Sequence, residues 1–73
     1  MDKKYKVNFD VTIAKRGGIL HRNNGDMNID TTASLEELQE MPDFNEVVGQ
    51  LLQRDHPKLN IVMVKVTDII PLE

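Results

Sequence analysis

The sequence predicts an α+β domain. A three- or four-stranded, mostly antiparallel sheet in the order β-β-(β)-α-α-β carries its helices packed on one face. Three observations predict it. Residues 5–14 alternate strictly between apolar and polar side chains. Residues 34–55 hold two capping-box patterns, each followed by apolar residues at helical spacing. Residues 59–70 are dense in valine and isoleucine and run into Pro71.

The alternation comes first in the chain. Tyr5, Val7, Phe9, Val11 and Ile13 are apolar, and Lys4, Lys6, Asn8, Asp10 and Thr12 between them are polar. In a strand this period of two gives one apolar face and one wet face. Lys15-Arg16-Gly17-Gly18 breaks the pattern, and paired glycines accept positive φ, so a turn is expected there. Ile19–Arg22 is a short strand candidate. Asn23-Asn24-Gly25 carries the strongest hairpin signal in the chain. Met27 and Ile29 then alternate with Asp26, Asn28 and Asp30 as another amphipathic strand. Two layouts fit: a meander with Ile19–Arg22 as its middle strand, or one long loop over residues 15–25. The favoured layout pairs the first strand with Asp26–Thr31 and leaves the intervening piece partly paired.

Ser34-Leu35-Glu36-Glu37 is a capping box, in which the cap hydroxyl and the glutamate each satisfy a free helix amide. Leu35, Leu38 and Met41 mark one face of a short helix that Pro42 ends. Asp43 and Glu46 suggest a second box. Phe44, Val47, Val48, Leu51 and Leu52 then form a full helical stripe. Gly49 inside this helix suggests a close approach to the sheet, and His56-Pro57 stops it. The expected core joins Val7, Phe9, Val11 and Ile13 to that stripe.

Composition bounds the rest. The 73 residues predict a single domain over 1–73, and without cysteine no disulfide or thiolate metal site is available. The chain shows no apolar leader and no run long enough to span a bilayer, so a cytoplasmic location is expected. The net charge of −3 is unevenly spread: residues 1–22 carry +4 and residues 23–73 carry −7.

Three candidate sites follow. The first is a basic loop, in which Lys15, Arg16, His21 and Arg22 flank Gly17-Gly18. Cations beside flexible backbone can cradle phosphates, which makes a nucleic-acid-binding module the alternative function. All three aromatics, Tyr5, Phe9 and Phe44, fall on apolar faces, so no stacking platform supports it. The second is a calcium-loop spacing. Asp26, Asn28, Asp30, Thr32, Ser34 and Glu37 occupy positions 1, 3, 5, 7, 9 and 12, but Thr31 stands where the sharp turn needs glycine. A strand running into a capped helix explains the same residues, and neither a metal nor a cofactor is expected. The third is the last strand, apolar on both faces. Val62, Val64 and Val66 are assigned inward, which leaves Leu59, Ile61 and Met63 opposite, with Ile69, Ile70 and Leu72 beyond them. Contiguous apolar surface on an edge strand marks an interface. Leu59, Ile61, Met63, Ile69, Ile70 and Leu72 are therefore the expected dimer contacts. The two histidines complete no zinc set, and no catalytic constellation is present. The sequence thus reads as a small non-catalytic protein-interaction module, a homodimer that is an adaptor or inhibitor of another protein.

Overall fold

The computed structural model describes residues 2–72. Strand β1 (Lys3–Lys15) leads into a 3-10 turn at Arg16–Gly18 and strand β2 (Ile19–Thr31). Helices α1 (Leu35–Glu40) and α2 (Phe44–Asp55) follow, and strand β3 (Ile61–Pro71) ends the order. The sheet order is β2-β1-β3, and both pairings are antiparallel. The α+β expectation therefore holds, with three strands. The molecule is elongated, 45 × 20 × 18 Å.

The strand of strict alternation is the middle one. Tyr5, Val7, Phe9, Val11 and Ile13 are all buried, and Val7 is fully enclosed. They meet Leu38 of α1, Phe44 and Val48 of α2, and Val64 and Ile69 of β3 in one core. Of the rest of the expected stripe, Leu52 packs against that core, and Val47 and Leu51 are half-buried. The Tyr5 hydroxyl donates to the Ala33 carbonyl at 2.9 Å, which ties the link between β2 and α1 to the buried face.

The hairpin differs from the sequence expectation. Gly17 and Gly18, with φ of 82° and 78°, make the reversal themselves. From there β1 and β2 pair without a break, from Lys15↔Ile19 to Lys3↔Thr31. Ile19–Arg22 is thus the start of β2 and not a separate strand, and Asn23-Asn24-Gly25 lies within it. An Asn-Gly hairpin turn requires positive φ, and Gly25 does not adopt it. The glycine serves another purpose. It stands opposite Phe9, whose ring crosses the space above it. A Cβ at Gly25 would lie 2.9 Å from Phe9 Cε1, closer than two carbons can approach.

The helices follow their caps in one case of two. Ser34 Oγ accepts from the Glu37 amide, and the Glu37 carboxylate accepts from the Ser34 amide, so the first box forms as read. Asp43 makes no side-chain cap bond. Its φ of −110° and ψ of 19° lie outside the extended region that aims a cap oxygen at the helix amides. Gly49 faces Val64, and a Cβ there would meet Val64 Cγ2 at 3.5 Å, an ordinary contact. The helix–sheet approach therefore does not demand glycine.

Strand β3 corrects the assignment of its faces. Its register against β1 shifts between Asn8 and Phe9 and again between Thr12 and Ile13. These bulges insert Thr67 and Val62, and each extra residue reverses the side-chain alternation beyond it. Ile61 stands opposite Ile13, and Ile69 stands opposite Val7. Both therefore face the helices, where Ile69 is buried and Ile61 packs against the core. Strict alternation holds only between the bulges, where Val64 and Val66 point inward. Val62 is exposed.

Candidate protein-interaction site

The six expected dimer residues divide. Ile61 and Ile69 belong to the inner layer, so they are not on the apolar outer face assigned to them. Met63, Ile70 and Leu72 are exposed, as is Leu59 in the loop before β3. Val62, assigned inward from the sequence, joins the exposed group through its bulge. Val62 and Met63 are the most open of these, at 57% and 59%. They border an open groove of about 660 Å³ between β3 and α2. Asn45, Glu46, Gly49, Gln50 and Gln53 form its helical wall. Gln53 also donates to the carbonyls of His56 and Leu59 at 3.0 and 2.7 Å, which fixes the loop at the groove's end.

The basic residues are not gathered on one surface. Cross-strand partners share a face, so His21 opposite Ile13 lies on the helix side, and Arg22 opposite Thr12 lies on the outer side. Lys15 follows the parity of Ile13, and Arg16 sits in the turn. Arg22 is 3.4 Å from Asp10, and Lys6 is 3.6 Å from Asp26. The open face of the sheet thus mixes both signs of charge. Tyr5, Phe9 and Phe44 are buried, so this face presents no aromatic ring to a base.

The calcium-loop spacing is stretched along β2. Asp26, Asn28 and Asp30 point outward from an extended strand at intervals of about 6.6 Å. Glu37 is held in the capping box at the start of α1. An extended strand cannot wrap these oxygens around one ion, and no group of three metal-ligating side chains occurs among the described residues. The backbone bond from Ser34 holds the Glu37 carboxyl below the usual carboxylate range, assisted by the Ser34 hydroxyl.

Backbone direction distinguishes the two edges of the sheet, and no sequence signal pointed to this. Ala14 donates its N–H to Asn60, and Lys4 accepts from Leu72, so even-numbered residues of β1 turn their main-chain groups toward β3. Odd-numbered residues then bond to β2, in the pairs Ile13↔His21 through Tyr5↔Ile29. In β2 the even residues, Leu20 to Asp30, therefore aim N–H and C=O outward along a free edge. The outer edge of β3 is treated differently. The Val66 N–H is taken by Asn45 Oδ1 of α2 at 2.8 Å. The Ile69 N–H is taken by Asp68 Oδ1 at 2.9 Å. No side chain caps a main-chain group of β2 from Leu20 to Asp30 among the described residues.

Comparison with family models, with curated proteins and with solved structures finds no match to this chain.

Proposed function

We propose that the protein is a small non-catalytic protein-interaction module, acting in the cytoplasm as a homodimer and serving as an adaptor or inhibitor of another protein. One observation carries the reading: Val62 and Met63 stand exposed beside the open groove between β3 and α2. Apolar side chains next to a polar helical wall resemble the centre and rim of an interface. Among the described residues, no helix is long and apolar enough to cross a membrane.

The test joins capture and mass. Immobilised protein is expected to retain a specific partner from host extract, and a Val62→Asp, Met63→Asp variant is expected to lose it while keeping its circular dichroism spectrum. Sedimentation equilibrium is expected to give about twice the 8.4 kDa chain mass. Retention unchanged by the double substitution would reject the groove as the partner surface.

A further inference from the structure

We propose that a second copy of this chain pairs along the free edge of β2, antiparallel and centred on Asn24, to give one continuous six-stranded sheet. This deepens the homodimer reading and rests on it. The edge is long, regular and open. Its even residues turn their main-chain groups outward, and an uncovered strand of this kind templates another strand. The helices lie toward the other side of the sheet, where their main backbone contacts are with β3.

The charge pattern selects both the partner and the register. In a two-fold antiparallel pair each residue faces the one equally far beyond the axis. With Asn24 on the axis, Arg22 faces Asp26 of the second copy, and Asp26 faces its Arg22. Both salt pairs lie on the outer face. Ile19, which is 58% exposed, comes opposite the half-buried Ile29 of the other chain on the inner face. The even residues then form hydrogen-bonded pairs, with up to about ten main-chain bonds between Leu20 and Asn28. Neighbouring registers lose this match. An axis at Arg22 sets Arg22 against itself, an axis at Asp26 brings Arg22 opposite Asp30 but sets two Asp26 carboxylates against each other on the axis, and an axis at Gly25 leaves Arg22 opposite Asn28. A neutral amide on the axis with opposite charges two residues to either side is complementary to itself, and the same charges discourage an unrelated strand. The bonds inside each chain, Arg22 to Asp10 and Lys6 to Asp26, extend the alternation of charge across the joined sheet.

The absence of cysteine allows a direct test. Hydrogen-bonded antiparallel partners lie about 5.5 Å apart at Cα, within the range a disulfide spans. On mild oxidation Asn24→Cys is expected to convert to covalent dimer, and Met63→Cys, at the other edge, is expected to remain largely uncrosslinked. Arg22→Asp and Asp26→Arg each place like charges across the axis, so each should raise the dimer dissociation constant about tenfold. Mixed together, the two variants restore both opposite-charge pairs and should form a mixed dimer near unmodified affinity. Circular dichroism of each variant separates weakened pairing from failure to fold. Crosslinking at Met63→Cys as fast as at Asn24→Cys overturns the proposal but leaves the dimer standing. So does a mixture no tighter than its components. A unmodified protein that sediments as a monomer at high micromolar concentration removes the dimer itself, and with it this edge.

Discussion

The two edges of the sheet are built in opposite ways. Strand β3 is broken by two bulges, and the Val66 and Ile69 amides are capped by the side chains of Asn45 and Asp68. Strand β2 runs for 13 residues with no bulge against β1. Bulges and side-chain caps prevent a strand from recruiting another. An edge so equipped is blunted against backbone pairing and can recognise partners through its side chains. The uncapped edge offers main-chain bonding, filtered only by the charges on its faces. A small sheet can thus divide its recognition between two chemistries by treating one edge and leaving the other.

The largest effect should come from the strand that holds both edges in place. Phe9→Ala empties the centre of the core and should cost about 3–5 kcal/mol in urea unfolding, enough to lose both edges together. An unchanged unfolding midpoint would show that β1 does not join them as described. Gly25→Ala tests the free edge alone. Its Cβ meets the Phe9 ring, and the expected cost is about 1–3 kcal/mol. In a Phe9→Leu background that cost should shrink, because the obstructing ring is gone, and a double-mutant cycle measures the coupling. Asn45→Ala would make the capped edge resemble the open one. It should cost about 0.5–1.5 kcal/mol and speed hydrogen exchange at Val66, with no change at Asn24. The smallest effect concerns the capping box. The folded state lowers the Glu37 carboxyl's proton affinity, so its contribution is present above the unfolded carboxylate range and is lost as pH falls through the folded value. Glu37→Gln should flatten part of the acid-side loss of stability and leave both edges as they are; an identical acid limb would reject the capping role.

Much of this was legible in the residues because some signals are local. Strict alternation from Tyr5 to Ile13 identified the buried face of β1, and Ser34 with Glu37 identified the start of α1. Both depend on neighbours a few positions apart. The misread elements depend on distant ones. Gly25 followed by strand residues reads as a turn until Phe9 is placed across from it. Ile61 and Ile69 read as opposite to Val64 only if the strand is unbroken, and the bulges that bring them to its face arise from how β3 fits β1. The candidate sites suffered in the same way. Lys15, Arg16, His21 and Arg22 are close in sequence but are distributed over a turn and two faces. The asymmetry of the edges is a property of main-chain direction, which side-chain identity does not encode.

The pairing of β1 with β3 also bears on how the chain acquires its structure during synthesis. It joins residues 5–13 to residues 61–71, so nearly all of this sequence must leave the ribosome before the third strand can dock. The hairpin of β1 and β2 needs only residues 3–31 and can close much earlier. For that interval the nascent chain carries the apolar row from Tyr5 to Ile13 without its cover. A two-stranded ribbon is marginal in water and prone to associate through such a face. The interval between hairpin closure and strand docking is therefore the period in which that row is open to association.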